Sequence, residues 1–234
     1  MKLVILAGGY GTRLSEETKT KPKPLIKIGD KPIIWHLMKI YSSFGVNEFI
    51  ICLGYKGNMI KDELKLYIKN ENWIINFVDT GLHTMTGGRV KRVEKYLTNE
   101  KNFCLSYGDG LSNVNIKKLI QFHINSGKIA TLTAVKYKNP KGVLSITKNS
   151  KVNKIKEKPL EYINGGFFVL SKNIFKYLKD DQTIFEKDCL PLLAKKNQLV
   201  AFKHNNFWAC MDTLSEKKEL NTLWKTKNCK WKIW

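Results

Sequence analysis

"KLVILAGGYGTRL", Lys2–Leu14, decides the fold. Its opening run, Lys2–Ala7, is short, apolar and rich in branched side chains, which predicts a buried strand. Gly8, Gly9 and Gly11 follow at once. A chain that leaves a strand through glycines can turn tightly, and it can also bring backbone amides against an anion that side chains would otherwise block. The Thr12 hydroxyl and the Arg13 guanidinium add charge-assisted partners for phosphate oxygens. The spacing is neither GxxxxGK[ST] nor GxGxxG. The loop alone therefore leaves a plain tight turn and a polyphosphate site both open.

Outward from this strand, apolar runs alternate with amphipathic segments. Strands are predicted at 2–7, 48–54, 73–80, 102–110 and 129–135, and helices at 32–44, 58–68, 89–97 and 115–127. Strand–helix alternation of this kind means a Rossmann-like, mostly parallel mixed sheet with helices on both faces, an α/β fold. Beyond residue 136 come short strands at 142–147, 152–158 and 163–170, then helices at 173–178 and 183–196. A final pair of strands, "LVAFKH" and "NFWACMD", precedes a last helix from Leu214. Without a repeat or a low-complexity linker, the second half reads as an elaboration of the same sheet, and residues 1–234 as a single domain. Ligands in such sheets bind outside the carboxyl ends of the strands.

Composition narrows the class. The net charge of +21 comes from lysines spread along nearly every element, with arginine only at Arg13, Arg89 and Arg92. Dispersed lysine without aromatic interleaving is a solvated surface rather than a nucleic-acid face. No apolar stretch reaches the roughly 20 residues that cross a bilayer. Five scattered cysteines without a CxxC pair suggest neither a disulfide framework nor a zinc knuckle. The expectation is a cytoplasmic protein with no nucleic-acid or membrane partner. No Ser/His/Asp or Cys/His order is visible, and His36, inside "IIWHLMK", reads as structural.

The loop's continuation is more specific. Together "LAGGYGTRL", "KPKPLIKIGDKPI", "YGDG" and "EKP" closely resemble the nucleotidyltransferases that make nucleoside-diphosphate sugars. "TMTGGRVKRV", "INGGFFVL" and "MDTL" are similar to the branch that makes CDP-glucose, and the resemblance runs from Met1 to Trp234. It implies a sugar-nucleotidyltransferase fold, with residues 1–136 mainly holding nucleotide and 137–234 mainly holding acceptor. It also implies magnesium-dependent transfer of CMP from CTP to a phosphorylated acceptor. Glucose 1-phosphate comes first, with another sugar 1-phosphate or a non-sugar phosphate as the alternative. A homo-oligomer is compatible with it, and a non-catalytic nucleotide-sugar sensor on the same fold is the rival of another class.

Residue by residue, the resemblance implies that Leu6, Ala7, Gly8, Gly9, Gly11, Thr12 and Arg13 hold nucleotide together with Lys23. The catalytic set is Lys23, Arg13 and Asp109. A fixed cation suits a transition state in which two anions are pressed together. Asp109 and Asp212 are the implied magnesium ligands, although an aspartate between glycines also makes a turn and Asp212 also suits a helix N-cap. Thr86, Gly87, Gly88 and Arg89 would recognise the pyrimidine, unless they only begin a helix. Glu157 and Lys158 would bind the acceptor's hydroxyls and phosphate, with Asn164, Gly165 and Gly166 lining the same pocket; alone, "EKP" is equally a strand end. The chain departs from the resemblance at "ENWII", residues 71–75, where that branch carries a longer insertion, and at "YKNPKGVLSI", residues 137–146.

Overall fold

A computed structural model describes residues 1–138 and 141–234, without the side chains of Arg13, Ser15 and Glu16. The role expected of the Arg13 guanidinium therefore lies outside the described residues. In chain order the elements are β1 (Lys2–Leu6), α1 (Ser15–Thr18), β2 (Lys27–Ile28), β3 (Lys31–Pro32), α2 (Ile33–Ser42), β4 (Glu48–Leu53), α3 (Gly57–Tyr67), β5 (Ile74–Asp79) and α4 (Thr86–Arg92). The second half adds β6 (Asn102–Tyr107), β7 (Gly110–Ser112), α5 (Ile116–Ser126), β8 (Ala130–Lys138), β9 (Val143–Ile146), β10 (Val152–Lys156) and β11 (Leu160–Ser171). It closes with α6 (Leu190–Lys195), β12 (Leu199–His204), β13 (Trp208–Cys210) and α7 (Leu214–Lys225).

Seven strands form the central sheet in the order β12-β8-β11-β6-β1-β4-β5. β1 pairs in parallel with β4 and β6, β4 with β5, and β8 with β12. β11 runs antiparallel to both of its neighbours. The sheet is thus mostly parallel and mixed, as the alternation predicts.

Strand alternation divides the core in two. Leu3 and Ile5 of β1 face one cluster with Phe49, Ile51 and Phe167, covered by Ile34 and Leu37 of α2, Ile60 of α3, Leu119 of α5 and Leu220 of α7. Val4 faces the other cluster with Ile50, Phe103, Leu105 and Phe168, covered by Val90 of α4 and Leu193 of α6. Both faces are buried, which is why β1, β4 and β6 read as continuous apolar runs. Each such side chain contributes about 1.5–3 kcal/mol by burial.

Local chemistry sets several ends. Asn115 caps α5 by accepting from the Lys118 amide, and Gly127 closes it in the left-handed region. The predicted helix over 183–196 is divided: a π-turn spans Phe185–Cys189, and α6 follows with a proline in its first turn. Pro191 has no N–H and its ring excludes the carbonyl of the preceding turn, so the regular ladder begins only there. The predicted strand over 102–110 turns at Gly108–Asp109, separating β6 from β7. β10 ends at Lys156, which leaves Glu157 and Lys158 beyond it.

The C-terminal aromatics pack onto α2. Trp231 is fully buried, and the rings of Trp224, Trp231 and Trp234 surround His36. His36 Nε2 donates to the Ile28 carbonyl at 2.9 Å, and Trp231 Nε1 donates to His36 Nδ1 at 3.5 Å. The C-terminal tail thus packs against the body of the chain. Among the described residues no helix is long and apolar enough to cross a membrane.

Candidate active site

A cleft of about 970 Å³ opens at the carboxyl ends of β1 and β6. Leu6, Ala7, Gly8, Gly9, Gly11 and Thr12 all line it, so the loop after β1 is a wall of the cavity and more than a turn. Thr18 Oγ1 ties this loop by donating to the Gly11 carbonyl at 3.1 Å and the Leu14 carbonyl at 3.0 Å. Gly11 sits at φ +68, and a Cβ there would press on Thr18 and on the Lys23 side chain. A Cβ on Gly9 would meet nothing within 4 Å, so this glycine faces open space. The volume falls at the upper end of ordinary ligand sites, enough for a nucleotide with a sugar.

Three groups expected from three distant parts of the sequence meet in this cleft. Lys23, in the tight turn Lys23–Leu25 behind Pro22, places Nζ 2.5 Å from Asp109 Oδ2 and 2.5 Å from Asp212 Oδ1. Asp109 stands in the turn between β6 and β7, and Asp212 just after β13, which pairs with β7. The Met211 amide donates to the Asp109 carbonyl at 3.1 Å, holding the two acids in register. Asp212 is not the cap of α7: Thr213 is, with Glu216 completing a capping box. Burial lowers the Lys23 pKa, but the Asp109 and Asp212 carboxylates outweigh it, so the net shift is upward from 10.5 and the ammonium stays charged.

The second stretch behaves differently from expectation. Thr86 lines the cleft, as do Leu82, His83, Thr84 and Met85, but Gly87 and Gly88 do not. A Cβ on Gly87 would meet Thr183, and one on Gly88 would meet Asp181, each below 3 Å. These glycines let the start of α4 lie against the 181–183 backbone, where the Gly87 and Gly88 amides donate to the Thr183 carbonyl at 2.9 and 3.2 Å. The base-approach expectation for them is corrected: close packing of two backbones needs glycine as much as a ligand does.

Arg89 is only 5% exposed. Its Nη1 donates to the Leu53 carbonyl, Thr80 Oγ1 and the Gly81 carbonyl at 2.9, 2.7 and 2.8 Å, and its Nη2 to the Gly8 carbonyl at 3.0 Å. It is a clamp joining the ends of β4 and β5 to the glycine loop. A Cβ on Gly8 would stand 2.2 Å from Nη1, so Gly8 is the space this clamp requires. Its contact with a ligand can be only at the edge it shows to the cleft.

On the far wall, Asn164, Gly165 and Gly166 line the cleft at a register shift in β11. Gly166 has φ +78, and a Cβ there would strike the Tyr107 ring. Trp208 Nε1 donates to the Gly165 carbonyl at 2.7 Å. Glu157 and Lys158, expected beside them, are exposed and form no part of the cleft wall. They follow the β9–β10 hairpin, which is exposed throughout.

Sequence reasoning missed Tyr107, Glu186 and Trp208. Glu186 accepts from the Tyr107 hydroxyl at 2.5 Å and from Thr86 Oγ1 at 2.7 Å. It lies in "FEKDC", whose helical look gives no motif; Tyr107 is the unremarked first residue of "YGDG".

A glycine-walled cleft at the strand ends of a mixed α/β sheet, holding a lysine between two aspartates, defines a protein that handles phosphorylated nucleotides. Residues 2–221 match the nucleotidyl transferase family, and the chain belongs to it. Glucose-1-phosphate cytidylyltransferase of Salmonella typhimurium is 44% identical over 257 aligned positions that cover all of both chains. The alignment is longer than this 234-residue chain, so that relative carries segments this one lacks. The crystal structure of HddC from Yersinia pseudotuberculosis complexed with GMP-PN matches with a TM-score of 0.77 and 28% identity, over 95% of this chain and 99% of that one. Mannose-1-phosphate guanyltransferase of Saccharomyces cerevisiae is 31% identical over 89% of this chain and 60% of its own length.

Proposed function

We propose that this protein transfers CMP from CTP to glucose 1-phosphate, giving CDP-glucose and pyrophosphate. The observation that carries the proposal is the Lys23–Asp109–Asp212 cluster beside the glycine loop. The 44% identity to a protein of that activity selects the base and the acceptor.

A phosphate oxygen of glucose 1-phosphate attacks the α-phosphorus of CTP in line, and the bond from that phosphorus to the bridging oxygen breaks, releasing pyrophosphate. The nucleophile is already an anion, so neither a general base nor a covalent enzyme intermediate is required. Positioning and charge neutralisation carry the rate. Lys23 meets the charge that gathers at the α-phosphorus. The loop from Gly8 to Thr12 is assigned to the triphosphate and the Leu82–Thr86 stretch to the base, a reading supported by the presence of both on the cleft wall. Nucleotide is thus assigned mainly to residues 1–136 and acceptor mainly to 137–234.

Asp109 and Asp212 suit magnesium. Both are hard oxygen donors, and they already converge on one cation, the Lys23 ammonium, at 2.5 Å each. Magnesium commonly takes one or two carboxylates and fills its remaining positions with phosphate oxygens and water. When bound, it would supply charge neutralisation on the phosphates.

A different sugar 1-phosphate is the second reading, favoured by the position of Glu157 and Lys158 outside the cleft wall. The test is pyrophosphate release with CTP, GTP, UTP and dTTP against a panel of phosphorylated acceptors in magnesium. Turnover restricted to CTP with glucose 1-phosphate is expected. Turnover with CTP and another acceptor replaces the acceptor, preference for GTP overturns the base, and nucleotide-sugar binding without any release would make the protein a sensor.

A further inference from the structure

We infer that Glu216 is the positioning residue that aims the Asp212 carboxylate at its cation. The inference rests on the reading of Asp109 and Asp212 as the pair that takes magnesium, and it deepens that reading.

Glu216 lies in the first turn of α7, three residues after the Thr213 cap, is half-buried and lines the cleft. Its Oε2 accepts from the Thr213 amide at 2.8 Å and from Thr213 Oγ1 at 3.1 Å. The bond from the Thr213 amide is the return half of the capping box and serves the helix. The same oxygen also accepts from the Asp212 amide at 2.7 Å, the shortest of the three, and Oε1 accepts from Cys210 Sγ at 3.7 Å. Neither of these belongs to a capping box, because both donors precede the cap. One side chain thus gathers donors from Cys210, Asp212 and Thr213, the stretch that carries Asp212 out of β13.

The consequence for Asp212 is geometric. The amides of Asp212 and Thr213 stand on either side of the Asp212 Cα, so aiming both at one oxygen fixes φ and ψ there, the only soft backbone torsions that residue has. With both flanking peptides held, the direction in which Cβ leaves the chain is set. The preceding residue is tied as well, since the Met211 amide donates to the Asp109 carbonyl at 3.1 Å. Asp212 therefore brings Oδ1 to 2.5 Å from Lys23 Nζ from a backbone held on both sides. The holder is itself anchored: Leu220 of α7 is buried in the core, and Asn221 Oδ1 accepts from the Gly29 amide at 2.9 Å. Magnesium tolerates little error in the placement of its oxygens, whereas a carboxylate on a loose strand end would swing. Groups that orient a metal ligand without touching the metal change its affinity about 10- to 100-fold when they are removed.

Three variants separate aiming from charge and from helix capping. Glu216→Asp keeps the charge and a good first-turn residue but is one methylene too short to span to the Asp212 amide. Glu216→Gln keeps the length and one carbonyl oxygen for the two amides but drops the charge. Thr213→Ala removes the cap hydroxyl and leaves both amides on Glu216. The readouts are the calorimetric Kd for CTP with and without magnesium, acceptor absent, and the magnesium concentration for half-maximal pyrophosphate release. Glu216→Asp is expected to leave the magnesium-free Kd within about twofold, to lose about tenfold or more of the tightening that magnesium gives, and to need about 10- to 100-fold more magnesium for half-maximal rate. Glu216→Gln should stay within about threefold of wild type in both readouts. Thr213→Ala should lower the urea midpoint and keep the wild-type magnesium response. If wild type prefers another nucleoside triphosphate, the same titrations use that one. A wild-type magnesium response in Glu216→Asp overturns the assignment. So does an equal loss in Glu216→Gln, which would make the effect one of charge, or in Thr213→Ala, which would make it one of capping. The underlying reading fails differently: a wild type indifferent to magnesium in both readouts would show that Asp109 and Asp212 are no metal pair, and the assignment would fall with it.

Discussion

The Lys23 cluster and the Glu157–Lys158 pair were expected to serve one reaction, yet they occupy opposite kinds of surroundings. Lys23 is 8% exposed, tied to carboxylates from two other segments, and ringed by core. Glu157 and Lys158 stand on an exposed connection after a hairpin whose Leu144, Ile146, Val152 and Ile155 are 49–68% exposed. The strand that follows repeats the contrast along its own length. Leu160 and Tyr162 of β11 are exposed, whereas Phe167 to Leu170 are fully buried, and the Asn164–Gly166 segment of the cleft lies between. Preorganised charge sits where the sheet is covered on both faces. The Asn164–Gly166 part of the cleft wall lies where the sheet begins to run out into solvent.

The largest effect should come from breaking the buried side of that contrast. Lys23→Ala is expected to lower kcat about 10²- to 10³-fold in the pyrophosphate-release assay, with the circular-dichroism spectrum unchanged. Asp109→Asn should fall in the same range and, unlike Lys23→Ala, should raise the magnesium concentration needed for half-maximal rate. Near-normal rates in either variant would remove it from the reacting centre.

Arg89→Ala should act next, through the scaffold. It takes one donor each from the carbonyls of Gly8, Leu53 and Gly81, of which Gly8 keeps the Tyr55 amide and Leu53 the Thr80 amide, and a hydrogen bond from a charged group contributes about 1.5–3 kcal/mol. A denaturant titration should show a loss of about 2–4 kcal/mol, and the KM for CTP should rise because the glycine loop loses its anchor. Unchanged stability would refute the clamp.

Glu157→Ala and Lys158→Ala probe the exposed side. Placed outside the cleft wall, they should change the sugar-phosphate KM less than about tenfold and leave folding stability within about 0.5 kcal/mol. A loss as large as that of Lys23→Ala would show that the connection reaches the cleft during turnover and would erase the contrast.

The smallest effect is conditional on pH. Burial drives the His36 pKa down from 6.5 to about 4, so between those values the unfolded chain binds a proton that the folded chain excludes. Its contribution is complete above pH 6.5 and is lost as pH falls toward 4, by up to about 3 kcal/mol. Urea midpoints at pH 7 and pH 4.5 should separate in that direction. His36→Gln, less stable at pH 7, should show a shallower decline; an equal decline would place the proton uptake elsewhere.

Much of this architecture was legible in the chain. β1, β4 and β6 are apolar runs because two layers cover them, and α2, α3 and α5 show the helical period that one covered face imposes. Lys23 and Asp109 stood out through flanking prolines and glycines, whereas Asp212, in "CMDT", was reached only through the family resemblance. Gly87, Gly88 and Arg89 show the opposite case. Their residue types suit a base-binding loop and internal packing equally well, and only tertiary contacts decide: Gly87 and Gly88 lie against the 181–183 segment, almost a hundred positions away, and Arg89 clamps the carbonyls of Gly8, Leu53 and Gly81.

From its residues alone, then, the chain determined the alternating α/β fold and the glycine-rich turn after β1, because local period and turn chemistry are written in neighbouring positions; the three charged groups were singled out by the family resemblance. Only the folded arrangement decided which groups meet: Lys23 with Asp109 and Asp212, Glu186 with Tyr107 and Thr86, and Tyr107 with Asn164. These partners are 57 to 189 positions apart along the chain. Hydrogen bonds and charge interactions act over a few ångströms of space, a distance that sheet order and register fix and that sequence spacing does not.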